Sequence, residues 1–244
     1  PEALNLAIKS SIKLGKKPKA IIVAHLYGQS AKMQELIELS EYYDIPIIED
    51  AAESLGSLYK GVASGTLGKF GIFSFNGNKI VTSGGGGAIV SNNVKLAEKG
   101  KYLTTTAKQP HPYEYFHDEL GYNYRMPNIN AALACAQLEQ LDTFLTEKRE
   151  IAKLYASFFE TKGIQFRTEL PETKANYWLM CVELENKNER DAFLKYTNSN
   201  NVMTRPIWQL MFRLPMFEHY QRDSQKNAIF LEERIVNIPS SVRA

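Results

Sequence analysis

The sequence predicts an α/β protein: a large domain on a mostly parallel sheet, then a smaller α+β domain. Three features carry that expectation. In the first half, short apolar runs of buried-strand type alternate with segments of helical apolar spacing, the pattern of βαβ units. A glycine-punctuated stretch follows at residues 56–87. Further on, residues 177–184 form a longer run rich in aromatic and β-branched side chains, unlike the earlier strands.

In chain order, residues 2–14 carry Leu4, Ala7, Ile8 and Ile12 at helical spacing. Lys16-Lys17-Pro18-Lys19 breaks that helix, and residues 20–24 read as a buried strand. Leu36, Ile37, Leu39 and Tyr43 mark a helix over residues 33–43, and residues 46–48 a second strand ending in Glu49-Asp50. Residues 88–90 are a last strand and 94–103 a helix. Pro127 sits at a helix start, and residues 129–145 continue it. A further helix, residues 147–162, is closed by Gly163. A polar helix at 189–196, a short Val202-Met203 strand and a Pro-punctuated tail complete the chain. The change of character near 145–165 gives two domains, residues 1–145 and 146–244.

With 29 basic and 27 acidic residues the net charge is +2, which gives no electrostatic case for nucleic acid or an anionic membrane. No apolar run approaches the ~20 residues needed to span a bilayer. Cys135 and Cys181 are too few for a disulfide framework or a zinc site alone and read as packed thiols of a reducing cytoplasm. No charged-then-apolar leader follows Pro1. His111 and His117 lack metal-ligand spacing with a third ligand, so no metal is expected.

Asp50 follows a buried strand, at the end where open α/β sheets gather ligands; a turn or helix-capping Asp is the competing reading. Lys79 lies between the apolar segment ending in Ser74-Phe75 and the glycine run 84–87. A lysine in such a setting can form a Schiff base with an aldehyde, although most lysines are solvated surface charges. Pyridoxal phosphate is the common aldehyde cofactor. It needs a lysine, an acid at its pyridinium nitrogen and donors for its phosphate. Lys79, Asp50 and Ser74 supply those types. The glycine run matches neither dinucleotide nor P-loop spacing and reads as a turn around the lysine.

Four ordered blocks carry a resemblance. They are Lys19-Ala20-Ile21-Ile22-Val23-Ala24-His25-Leu26-Tyr27-Gly28, Glu49-Asp50-Ala51-Ala52-Glu53-Ser54-Leu55-Gly56, Ser74-Phe75-Asn76-Gly77-Asn78-Lys79, and Gly121-Tyr122-Asn123-Tyr124-Arg125-Met126-Pro127-Asn128-Ile129-Asn130-Ala131-Ala132. In order and spacing they resemble the DegT/DnrJ/EryC1/StrS family of pyridoxal-phosphate-dependent nucleotide-sugar aminotransferases, of fold type I. The wording of the last block is most similar to the branch that aminates 4-keto-6-deoxy sugars for legionaminic-acid or bacillosamine-type glycans.

The resemblance implies that Lys79 forms the Schiff base and then moves the proton, and that Asp50 pairs with the pyridinium nitrogen. Ser74 would bond the phosphate, and Asn123 would reach it from the neighbouring subunit of a homodimer with shared sites. Glu53 matches a position near the ring's 3-oxygen that often carries Gln or His. His25 could line the substrate site, a packed histidine being the alternative; Arg125 could meet a substrate phosphate or make an intersubunit salt bridge. The aromatic cluster of Tyr113, Tyr115, Phe116, Tyr122 and Tyr124 reads as stacking or interface packing.

The resemblance also implies an N-terminal truncation. Nothing before Ala20 offers the family's Gly-Thr/Ser phosphate turn or stacking aromatic. The expected function is a cytoplasmic aminotransferase that moves an amino group from glutamate to a nucleotide-linked 4-keto-6-deoxy sugar. The alternative is a catalytically inactive fragment that keeps part of the fold and the dimer surface.

Overall fold

The computed structural model describes residues 1–242. In chain order its elements are α1 (Glu2–Lys13), β1 (Ile21–Ala24), α2 (Met33–Tyr43), β2 (Ile47–Asp50), β3 (Leu58–Tyr59), β4 (Val62–Ala63), β5 (Phe70–Ser74), β6 (Gly87–Val90), α3 (Val94–Thr104) and α4 (Asn128–Leu138). Then come α5 (Leu141–Glu160), β7 (Gln165–Phe166), β8 (Thr173–Lys174), β9 (Met180–Glu183), α6 (Lys187–Ser199), β10 (Arg205–Pro206), α7 (Lys226–Glu232) and β11 (Ile235–Ile238).

These elements fall into two compact units. One comprises residues 19–143 with 172–175, the other residues 1–18, 144–171 and 176–244. The first holds a four-stranded sheet of order β1-β2-β5-β6 and a small antiparallel sheet, β4-β3-β8. β1, β2 and β5 run parallel, and β6 closes the edge antiparallel to β5. The sheet is therefore mostly parallel, as the alternating pattern predicts.

The second unit is an antiparallel sheet, β10-β11-β9-β7, against helices. Ala152 and Phe159 of α5 pack with Phe166, Met180, Val182, Leu184, Val236 and Ile238 to form its core. Burial of these side chains supplies the main drive for this sheet to stand against α5. Lys148 of α5 is also buried, its Nζ donating to the carbonyls of Ser240 at 2.6 Å, Trp178 at 3.2 Å and Tyr177 at 3.3 Å.

Several local expectations are corrected. The helix expected to run through 129–145 stops at Leu138, and the next begins at Leu141 and continues unbroken to Glu160. Neither Gly nor Pro marks that break. β9 is shorter than residues 177–184 because Tyr177 takes a left-handed backbone, φ 51, which no strand accommodates. Val202 and Met203 are exposed and outside any strand; the edge strand is instead β10, where Pro206 is tolerated because an edge needs fewer donors. Of the two cysteines only Cys181 is a packed thiol, pushed up by burial to about 12; Cys135 is exposed.

Candidate active site

Strand alternation decides which residues meet at the site. Ala24 pairs with Asp50, Asp50 with Ile72, and Ile72 with Ile89, so these share one face of the β1-β2-β5-β6 sheet. Ser74, two residues beyond Ile72, lies on the same face. Val23, Glu49, Gly71 and Val90 share the other. β2 and β5 thus end by presenting Asp50 and Ser74 on one face, at the carboxyl ends where ligands gather in open α/β sheets.

Asp50 is exposed, and its Oδ1 accepts the Ala52 N–H at 3.1 Å. Ser74 is half-buried, its Oγ accepting the Asn76 N–H at 3.3 Å. The chain then turns back on itself. The Lys79 N–H reaches the Asn76 carbonyl at 3.0 Å, the Ser83 N–H reaches the Phe75 carbonyl at 3.0 Å, and Asn130 Nδ2 of α4 donates to the Ser83 carbonyl at 2.5 Å. These bonds fix the turn that carries Lys79.

Lys79 Nζ lies 3.7 Å from Glu53 Oε1, both side chains being largely withdrawn from solvent. Glu53 Oε2 accepts the Tyr27 N–H at 2.8 Å. Burial raises the Glu53 carboxyl above its ordinary range; the Tyr27 amide and Lys79 pull it down less strongly, and Asp50 adds to the rise. Of the residues singled out in the sequence, the structure thus brings Lys79, Glu53 and Asp50 together, with Ser74 on the same sheet face as Asp50.

His25 is placed differently. It follows β1 in step with Ile21 and Val23, which puts it on the Glu49 face, opposite Asp50. It is 1% exposed, with Nε2 2.8 Å from Glu49 Oε2 and Nδ1 accepting the Ala31 N–H at 3.1 Å. Both ring nitrogens are engaged in the interior. Asn123 is exposed in the segment between α3 and α4, its backbone bridged to Thr105. Arg125 is exposed and lines an open cleft of about 760 Å³ with residues of β6 and α3. Near it Tyr122 and Tyr124 stack with centroids 5.2 Å apart.

Sequence reasoning missed two participants. Glu49 reads as half of a Glu-Asp pair at a strand end, yet strand alternation alone separates it from Asp50. The Tyr27 amide has no side-chain signal at all. Among the described residues no three His, Cys, Asp or Glu side chains are grouped to hold a metal ion, and no helix is long and apolar enough to cross a membrane.

Comparison with known proteins gives a consistent picture. Residues 3–243 match the model of the DegT/DnrJ/EryC1/StrS aminotransferase family. EpsN of Bacillus subtilis (strain 168) is 42% identical over 89% of this chain and 56% of its own length. The GDP-perosamine synthase of Escherichia coli O157:H7 is 37% identical over 93% of this chain and 62% of its own. The chain therefore spans roughly three-fifths of these relatives. The crystal structure of a family aminotransferase from Brucella abortus superposes with a TM-score of 0.91 at 25% identity, over 98% of this chain and 64% of that one. The fold is that of the fold type I pyridoxal-phosphate enzymes. With the family match running across nearly all its length and a relative 42% identical over 89% of it, the chain belongs to the DegT/DnrJ/EryC1/StrS aminotransferase family.

Proposed function

We propose that this protein is a pyridoxal-phosphate-dependent aminotransferase that moves an amino group from glutamate to the 4-keto carbon of a nucleotide-linked 6-deoxy sugar, for cell-surface glycans. The observation that carries this reading is the meeting of the Lys79 amine with Glu53, beside the sheet face that ends in Asp50 and Ser74. Those groups fit the cofactor chemically. Lys79 supplies the amine for an aldehyde, the Asp50 carboxylate is exposed for a ring nitrogen, and the Ser74 hydroxyl lies one strand away for a phosphate.

When bound, pyridoxal phosphate supplies an aldehyde for the amine and a ring that takes up the electron pair left when a proton departs from the amino-bearing carbon. Lys79 Nζ would take that proton from the donor's amino-bearing carbon and, in the second half of the reaction, deliver one to the sugar carbon that receives the amino group. Asp50 keeps a proton on the ring nitrogen by its negative charge. Ser74 Oγ binds the phosphate, and Asn123 reaches it from a second copy of the chain in a cytoplasmic homodimer. Arg125 meets a substrate phosphate as a charge-assisted donor. The wording of residues 123–130 supports a 4-keto sugar as acceptor, and the GDP-perosamine synthase relative supports a sugar carried on a nucleotide.

Two measurements test this. Borohydride reduction in the presence of pyridoxal phosphate should label Lys79, and Lys79→Ala should abolish the label; labelling elsewhere overturns the assignment. A panel of keto-sugar nucleotides with glutamate, read by product mass and NMR, should yield a 4-amino sugar. If no keto sugar is aminated, the acceptor assignment fails.

A further inference from the structure

Glu53 is held more tightly than a residue that merely lines a ring requires. Its Oε2 is fixed by the Tyr27 N–H at 2.8 Å, and Tyr27 sits at φ 61, a left-handed backbone that bulky residues seldom adopt. This leaves Oε1 toward Lys79 Nζ, 3.7 Å away. Two charged groups act on the carboxyl from different elements: Lys79, from the turn after β5, and Asp50, from the end of β2. They act with opposite sign. Burial meanwhile disfavours any charge on Glu53 that Lys79 does not balance.

We propose that Glu53 is a charge latch on Lys79: in the cofactor-free site it holds the amine as the ammonium, and it takes the lysine's proton as the amine turns toward an aldehyde. The transfer moves one proton from Nζ to Oε1 and leaves a neutral amine beside a neutral carboxyl. The freed lone pair then adds to the aldehyde carbon of pyridoxal phosphate, with loss of one water. The latch rests on the reading of Lys79 given above. It assigns Glu53 a task on the lysine itself, separate from any contact with the ring oxygen.

Reductive methylation with formaldehyde and cyanoborohydride at neutral pH, read by peptide mass spectrometry, reports the availability of each lysine amine without pyridoxal phosphate. Glu53→Gln keeps the shape of the side chain and removes its charge. Lys79 labelling should then rise on the order of three- to tenfold, while the exposed Lys69 serves as an unchanged internal reference. Glu53→Asp keeps the charge but draws it back by one methylene, so it should give a smaller rise, and it carries the comparison if the Gln variant does not fold. Unchanged or slower Lys79 labelling in a folded variant overturns the latch. Absence of the borohydride label from wild-type Lys79 would instead overturn the proposed function, so the two failures are distinguishable.

Discussion

His25 Nε2 and Glu49 Oε2 lie 2.8 Å apart, with both side chains wholly withdrawn from solvent. Because His25 Nδ1 accepts the Ala31 N–H, the ring proton is on Nε2 and is donated to the carboxylate. Glu49 also accepts the N–H groups of Gly65 and Leu67 at 2.7 Å each and of Gly68 at 2.5 Å. One carboxylate thus ties β2 to the end of β1 and to the loop before β5, below the sheet face that carries Asp50.

Removing that carboxylate leaves three backbone donors and a histidine without their acceptor. Glu49→Ala should cost ~3–5 kcal/mol of unfolding free energy, the range for breaking a buried pair from one side. Urea unfolding of the two proteins measures it. A loss below ~1 kcal/mol would contradict the account.

The same pair predicts an acid dependence. Burial alone would raise the Glu49 carboxyl, but the His25 bond and the Gly68 and Gly65 amides outweigh it, so the group is held below its ordinary value. With the folded value depressed, its contribution is present above the unfolded carboxyl's 4.5 and is lost as pH falls through the folded value. The stability difference between wild type and Glu49→Gln should therefore shrink on acidification below that point. Denaturant titrations from neutral pH into the acid range follow it.

Lys148 should act in the opposite part of the scale. Burial pushes its ammonium down to about 8 from 10.5. The folded chain then releases this proton before the unfolded one does. The burial penalty is fully present below about 8, and stability rises with pH between about 8 and 10.5. Lys148→Met should flatten that rise, which chemical unfolding across the window would show.

Two glycine substitutions should give opposite signs. A Cβ on Gly71, in β5, would run into the backbone carbonyl of Gly65, so Gly71→Ala should cost ~3 kcal/mol or more. At Gly100, inside α3, a Cβ meets nothing, and Gly100→Ala should stabilise by ~0.5–1 kcal/mol through helix propensity. Thermal unfolding of both variants reads the difference.

How much of this was legible in the sequence varies with the range of the interaction. α2 occupies residues 33–43 as its apolar spacing indicates, and β2 ends on Asp50 where the apolar run gives out. Both are local patterns. The break at Glu139-Gln140 carried no signal, because both sides read as good helix and neither Gly nor Pro marks it. Lys148 reads as one more surface lysine on a helix; its three carbonyl partners lie 29, 30 and 92 residues away. His25 was open to a better reading. Counting strand parity from Val23 already puts it with Glu49 and away from Asp50.

That parity has a consequence for what the chain can tolerate. Glu49 and Asp50 are consecutive acids, one turned into the interior and one out toward the site. Slipping β2 by one residue against β1 and β5 would exchange them, burying Asp50 among amides spaced for a longer side chain and setting a shorter acid opposite His25. An insertion or deletion of one residue between Ile45 and Asp50 would therefore disable the chemistry and the scaffold in the same stroke.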